Sequence, residues 1–389
     1  MRFDYLVLGA GRQGTALAYD LALNGEARRV TLADSDERAA RAAVARLETL
    51  LGVGRCELIA RRCDVAVPAD VADTIRGAEV VISAVPYVFN VQLTDAAIAA
   101  GAHFCDLGGN TAVVREQLAR HERAAAAGVS VLPDCGLAPG LGNIVAAYGV
   151  SQLDAPRDVH VRCGGLPERP VGPLGYKMLF NFQGLVNEYS GCAEFLRDGR
   201  RVEVPTLTEI EPIEFPPPVG RCEAAVTSGG TSTCPQSFEG RLENYDYKTV
   251  RYPEHWAVIR AMFELGCFEE SLRLADGSTI EPKALMRRLF EEKLAFPEVR
   301  DVTVLRITVR GRDKGAARTL QFDLLDRHDE RTGFTAMERT TAFPTALAAH
   351  LQARGLVAPG ARPLERSIPL QAYMDELPRH DIRLAVTQR

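Results

Sequence analysis

Short apolar runs alternate with helix-periodic stretches along the first third of the chain. Residues 4–8 (Asp-Tyr-Leu-Val-Leu) read as a buried strand, and Leu17, Leu21 and Leu23 recur among alanines in the helical stretch that follows. A second apolar strand, 30–33, ends on Asp34. An Ala/Arg/Leu-rich helix is expected over 36–51, with Asp34, Ser35 or Asp36 as its cap. A strand at 57–60, a helix at 71–75 and a strand at 79–85 come next, and Val80, Val81 and Ile82 point to burial on both faces of the last. Pro86 closes it. A helix over 91–100, a strand over 102–107, a long helix over 111–127 and a strand over 129–133 complete the alternation. Strands separated by helices in this way predict an α/β fold whose N-terminal part is a Rossmann-type, doubly wound parallel sheet.

The pattern changes at 136–140 (Gly-Leu-Ala-Pro-Gly), a hinge-like segment followed by a helix over 141–152. From 157 to 342 the chain reads as α+β. A strand is expected at 159–163, helices at 183–196 and 255–265, and an antiparallel meander over 302–310, 319–325 and 333–342. A helix over 343–354 stops at Gly355, and its Leu347 and Leu351 are placed to pack back on the first domain. Beyond Pro359 the chain is polar and is expected to be only partly structured. The expected units are therefore 1–140, a nucleotide-binding domain; 141–342, an α+β substrate and oligomerisation domain; and 343–389, a C-terminal helix and tail returning to the first.

At 389 residues, with 46% apolar and 25% charged positions, the composition is that of an ordinary globular protein. A net charge of -5 argues against a general nucleic-acid surface. The nine cysteines show neither C-x-x-C pairs nor zinc-type spacing, so no metal is expected and reduced, buried thiols are. The first residues form a core strand rather than a signal peptide, and no apolar run reaches the length of a membrane span. These features give the expectation of a cytoplasmic protein with no membrane partner.

Between the first strand and helix stands Gly9-Ala10-Gly11-Arg12-Gln13-Gly14, a G-x-G-x-x-G with an acid, Asp34, about twenty residues on. Gly9 permits a tight turn, Gly11 lets the backbone approach a pyrophosphate, and Gly14 lets helix and strand pack closely. The helix start at Arg12 and Gln13 offers free N–H groups to the phosphates. Asp34 can accept from a ribose diol and would repel a 2′-phosphate, so NAD is expected rather than NADP. The other strand ends of this sheet place Asp64 toward the adenine, and Ala84, Val85, Leu107 and Gly108 around the nicotinamide.

Several segments carry chemistry beyond the nucleotide. Tyr87 and Asn90 lie in the loop after the fourth strand, where the alternative for an aromatic is core packing. Asp134 opens the segment joining the two domains. Lys177, amid apolar neighbours and beside Tyr176, is the first candidate for general base, because desolvation lowers a lysine pKa; a surface lysine is the alternative. The hydroxyl- and glycine-rich loop 227–233, with Thr231, binds a polar substrate or simply turns. Arg251 offers a guanidinium to a substrate carboxylate or takes part in a structural ion pair.

Taken together, Gly9–Gly14, Val85-Pro86-Tyr87, 136–140, 163–167, 173–177 and Arg251-Tyr252 make the chain resemble the saccharopine dehydrogenase/reductase superfamily over nearly its whole length. The 227–233 loop, the stretch from Val204-Pro205 to Glu211-Pro212-Ile213, and Tyr247-Lys248-Thr249 most resemble its lysine 6-dehydrogenase branch. The resemblance implies an oxidoreductase acting on CH–NH2, with NAD, a small-molecule amine or amino acid and a homo-oligomer, plausibly a dimer built through the antiparallel sheet. Saccharopine-forming members carry arginines for the glutamyl half of their substrate; here those places read Gln183 and the Gly229-Gly230 turn. The expectation is oxidative deamination of the ε-amine of L-lysine to 2-aminoadipate 6-semialdehyde. Lys177, Asp134 and Tyr176 would then handle protons, and Tyr87, Asn90, Gln183, Thr231 and Arg251 would hold the substrate. The alternative is a saccharopine-type reductase that condenses an amine with a 2-keto acid.

Overall fold

The computed structural model describes residues 2–52 and 54–389. Its first sheet is parallel throughout. Strands β1 (Phe3–Leu8), β2 (Ala27–Asp34), β3 (Glu57–Arg62), β4 (Val80–Ser83), β5 (His103–Asp106) and β6 (Ser130–Leu132) stand in the order β3-β2-β1-β4-β5-β6. Every residue of β1 and β4 is buried, as expected for short apolar strands covered on both faces by helices. The C-terminal ends of β1, β4, β5 and β6 therefore line one edge, where an open α/β sheet binds its ligands.

The second sheet has nine strands: β7 (Ala155–Pro167), β8 (Cys192–Arg197), β9 (Arg200–Pro205), β10 (Glu211–Phe215), β11 (Gly220–Val226), β12 (Asn244–Arg251), β15 (Asp301–Asp313), β16 (Ala316–Arg327) and β18 (Ala385–Gln388). The short β13 (Leu272–Arg273) and β14 (Thr279–Ile280) form a separate hairpin, and β17 (Gly360–Ala361) adds a seventh strand to the first sheet beside β6. Only β12 and β7 pair in parallel; the other neighbours in the second sheet are antiparallel. The helix Leu141–Ser151 covers its inner face so closely that a Cβ on Gly149 would come within 2.7 Å of Val309. The helix Ala336–Ala353 packs on Arg12–Asn24, with Tyr19 between Phe334 and Phe343 (ring centroids 5.1 and 6.2 Å).

Several expected elements differ. The segment 183–196 is not one helix. The helix Phe182–Tyr189 ends at Ser190, Gly191 turns with φ +74°, and the chain returns as β8, which puts Phe195 and Leu196 in the core. The third member of the expected meander, 333–342, is not a strand. A Thr335/Glu338 capping box starts a helix there, and Asp301 of β15 accepts the next two N–H groups, those of Ala336 and Met337, at 2.9 Å each. This helix runs through Pro344, and the strand beside β16 is β18 instead. The stretch 111–127 breaks into Thr111–Leu118 and His121–Ala126. The tail beyond Pro359 is ordered and anchored by buried Leu364, Ile368, Tyr373, Leu377 and Ile382, apolar positions spaced too irregularly for a periodicity to reveal. No helix of the described residues is long and apolar enough to cross a membrane.

Candidate active-site cleft

The glycine loop after β1 has the geometry that a dinucleotide needs. Gly9 sits at φ +98°, and a Cβ there would meet the Ala84 carbonyl oxygen at 2.8 Å; one on Gly14 would overlap the Gly9 oxygen at 1.7 Å. A Cβ on Gly11 meets nothing within 4 Å, so no protein packing requires the glycine and the space over it is open to a ligand. Gly11 caps the helix Arg12–Asn24 with no side-chain partner for its first N–H groups, which suits a pyrophosphate. Asp34 accepts from Ala10 N (2.8 Å) through Oδ2, and from Asp36 N (3.0 Å) and more weakly the Ser35 hydroxyl (3.5 Å) through Oδ1, leaving a lone pair on Oδ2 for a ribose diol. Arg12 leads away to Glu338 and Thr335, and Gln13 donates weakly to the Met337 carbonyl (3.4 Å) while its own carbonyl oxygen is buried without a partner. These two side chains join the glycine loop to the start of the helix Ala336–Ala353. Asp64, just after β3, accepts from Ala66 N (3.0 Å).

Three strand ends then converge on Asp134. Its backbone is left-handed (φ +62°), its side chain is buried, and its N–H donates to Asp106 Oδ1 at 3.1 Å. Asp106 at the end of β5 also accepts from Gly108 N and Gln117 Nε2, both at 2.7 Å. A Cβ on Gly108 would come within 2.2 Å of Asp134 Oδ1, so this turn packs directly on the carboxylate; one on Gly109 would meet the Tyr87 ring at 2.9 Å. The Ser232 hydroxyl donates to Asp134 Oδ2, while Oδ1 is buried with no hydrogen-bond partner. Burial, followed by the nearby Asp106 charge, raises the Asp134 carboxyl to about 7. Ser232 belongs to the 227–233 loop, whose last three hydroxyls go three ways: Thr231 to the Glu194 carbonyl (3.0 Å), Ser232 to Asp134, and Thr233 to both oxygens of buried Glu365 (3.0 Å). Asn143 clamps the loop to the hinge, donating to the Thr231 carbonyl while accepting from Gly140 N, both at 2.9 Å.

At its other end this loop reaches a second polar cluster, where Thr227 and Thr249 share a hydrogen bond of 2.7 Å. Arg251, 2% exposed, donates to the Tyr189 hydroxyl (3.0 Å), lies 3.6 Å from Glu188 and stands 4.8 Å above the Tyr176 ring. Burial opposes the guanidinium's charge, but Tyr189, Tyr176 and Glu188 outweigh it and raise its pKa. Burial likewise pushes the Tyr176 hydroxyl up to about 12, and burial with the Arg251 charge pushes His255 down to about 3, so His255 is neutral. Lys177 points elsewhere: its ammonium donates to the carbonyls of Phe296 (3.0 Å) and Val299 (2.6 Å), and burial lowers its pKa.

The structure thus brings Asp134, Gly108, Tyr87 and the Thr231 loop together at the strand ends, and Tyr176 with Arg251 beyond them. Ala84, Val85 and Leu107 line the same edge, Ala84 through its N–H to the Leu8 carbonyl and Leu107 through the close approach of Gly136 to its oxygen. Gln183 is on the exposed side of its helix, and the Asn90 amide oxygen is taken by Ser83 (2.7 Å). Ser232, Glu365 and Glu188 escaped the sequence reading. Ser232 lies beside Thr231 in the hydroxyl-rich loop, whereas nothing local marks Glu365 or Glu188. A cavity of about 460 Å³ lined by Tyr148, Phe322, Met374 and Ile382 among others shares no residue with this cleft.

Comparison with known proteins agrees with this layout. Residues 5–132 match the saccharopine dehydrogenase NADP binding domain, and residues 136–382 match the saccharopine dehydrogenase C-terminal domain. The chain is 29% identical over 133 residues to an NADP(+)-dependent, L-glutamate-forming saccharopine dehydrogenase of Schizosaccharomyces pombe (32% of this chain, 29% of that protein). It is 30% identical over 148 residues to the enzyme so named from Pyricularia oryzae (36% and 31%). These matches span under a third of the curated relatives' own length. The apo, histidine-tagged L-Glu-forming saccharopine dehydrogenase of Saccharomyces cerevisiae superposes with a TM-score of 0.77 at 19% identity, over 100% of both chains, which is a likeness of fold.

Proposed function

We propose, from the premise that this chain belongs to the saccharopine dehydrogenase family, that it is a pyridine-nucleotide-dependent oxidoreductase acting on the C–N bond of an amine or amino acid. The reading best supported is saccharopine-type: reversible oxidation of a secondary amine that joins an amino acid to a second acid, released as an amine and a carbonyl compound. The observation that carries it is Asp134, a buried carboxyl raised to about 7 at the end of β6, with one oxygen unpartnered.

When bound, the nucleotide supplies the hydride acceptor. Asp134 Oδ1 takes the proton that the substrate nitrogen sheds as the neighbouring C–H gives up its hydride, so that an imine forms on the substrate. Water then adds and the C–N bond breaks, with Asp134 returning the proton to the leaving nitrogen. A carboxyl with a pKa near neutrality holds both forms available, which suits a group that must accept and then give back one proton. Arg251, stacked on Tyr176, is assigned to a substrate carboxylate. Lys177 is assigned to holding the Phe296–Val299 turn, because two carbonyls engage its ammonium.

NAD is the proposed nucleotide, on the strength of Asp34, although the relatives named above are NADP(+)-dependent. A second reading, deamination of the ε-amine of free lysine, is favoured by Gln183 and by the Gly229-Gly230 turn, which offer no cation to a doubly acidic partner. The setting proposed is a cytoplasmic homodimer paired through the second sheet, and the nine cysteines, all free, suit a reducing compartment.

One set of assays tests the reaction and the nucleotide. The purified protein is given saccharopine with NAD or NADP, lysine with 2-oxoglutarate and the reduced nucleotide, and lysine with NAD while ammonia is measured. Nucleotide turnover in either of the first two supports the main reading. Ammonia with NADH in the third replaces it by the second reading, and no turnover with any of them rejects both.

A further inference from the structure

Asp134 and Ser232 meet across the domain boundary in a way that neither backbone adopts without compensation. Both are non-glycine residues in the left-handed region (φ +62° and +47°), a conformation that costs free energy and persists where surrounding contacts require it. Ser232 is buried, 6% exposed, and its neighbours are pinned on both sides: Thr231 by Asn143 and the Glu194 carbonyl, Thr233 by Glu365. The serine hydroxyl has one oriented use in this arrangement, donation to Asp134 Oδ2. Apart from Ser232, burial acts most strongly on the carboxyl and opposes ionisation, as do the charges of Asp106 on β5 and Glu365 on the C-terminal segment, while the Gly109 N–H favours it.

We infer that Ser232 is a positioning residue for proton transfer: carried on the second domain, its hydroxyl engages one oxygen of Asp134 and leaves the other as the single seat for the substrate's proton. The inference rests on the reading of Asp134 as the proton carrier. A hydrogen bond donated to a carboxylate favours its charged form, so the same contact holds Asp134 ready to ionise against the two acids beside it. Glu365 is part of this device at one remove, because its contact with Thr233 fixes the turn that aims Ser232.

The test compares how stability and rate depend on pH in the full-length protein. The difference in melting temperature between wild type and Asp134→Asn, followed from pH 4 to 10, reports the titration of Asp134 without any substrate. Repeating the pair in a Ser232→Gly background, where glycine suits the left-handed backbone, removes the hydroxyl without adding strain. The expected result is a titration midpoint at least one pH unit higher in that background, a tenfold weaker hold on the ionised form. An unchanged midpoint overturns the inference. Ser232→Ala should shift the midpoint equally; a shift in alanine alone would trace the effect to backbone strain and overturn it too. With saccharopine and with lysine as probes, the acid limb of kcat/KM should move by the same amount. An Asp134→Asn enzyme that keeps its acid limb would instead sink the proton-carrier reading, whatever the melting data show.

Discussion

Asp34 accepts the main-chain N–H of Ala10 at 2.8 Å, so the acid proposed for the ribose also shapes the glycine loop proposed for the pyrophosphate. A 2′-phosphate brought to Asp34 would set like charges about 4 Å apart, a repulsion of about 4 kcal/mol per charge pair near a protein surface before salt screens it. NAD should therefore exceed NADP in kcat/KM by at least tenfold. Asp34→Ser should narrow that ratio at least tenfold while lowering turnover with both, since the loop loses its anchor. Initial rates with the two nucleotides decide it.

The raised pKa of Asp134 makes stability depend on pH in a direction opposite to that of a salt-bridged carboxylate. The unfolded chain ionises at the ordinary value of 3.8, whereas the folded one holds its proton to about 7. The stabilisation is complete below 3.8 and is lost as pH rises toward 7, because the unfolded state gives up its proton first. A shift of this size corresponds to about 4 kcal/mol. Asp134→Asn should thus gain on the wild type by several degrees of melting temperature between pH 4 and 8, although it loses turnover. Calorimetric melts at pH 4, 6 and 8 give the answer.

The nucleotide half was legible because its signals are local. An apolar run, a glycine turn and an amphipathic helix define each unit within about thirty residues, as Gly9, Gly14 and Asp34 do for the first. The helix Ala336–Ala353 was misread as strand at its start, since Thr340, Thr341 and the apolar residues around them mimic β-composition and Pro344 argues against a helix. Thr335 and Glu338 did spell a capping box, but the second cap, Asp301, comes from β15 and leaves no trace near position 336. The candidate site has the same local and non-local parts. Asp134 and Arg251 stand out in their own segments, whereas Glu365 and Glu188 matter only because the fold carries them to Thr233 and Arg251.

The C-terminal segment supplies a stability prediction. His380 Nδ1 and Asp20 Oδ2 are hydrogen-bonded at 2.5 Å, each side chain no more than 2% exposed, and Asn24 donates to the other oxygen of Asp20 at 2.8 Å. Removing one partner strands the other without water. His380→Ala and Asp20→Ala should each cost about 3–5 kcal/mol, whereas a double substitution with apolar residues should cost less than the sum. Urea unfolding of the single and double variants measures the coupling.

Arg251 poses the sharpest question about substrate, since it is either a carboxylate receptor or merely the partner of Glu188. A purely structural arginine would lose stability on replacement and change every substrate alike. A receptor would lose its preference for substrates that carry an α-carboxylate. Arg251→Lys keeps the charge but gives up the planar fork and the stacking on Tyr176 that stands 4.8 Å away. We expect it to lower kcat/KM for an amino-acid substrate by ten- to a hundredfold, while the decarboxylated analogue (cadaverine where lysine is the substrate) changes by less than threefold. Glu188→Gln, which frees the guanidinium from its nearest anion, should leave KM for the amino acid unchanged or lower it. Parallel losses for acid and diamine in the lysine variant would place Arg251 in the scaffold.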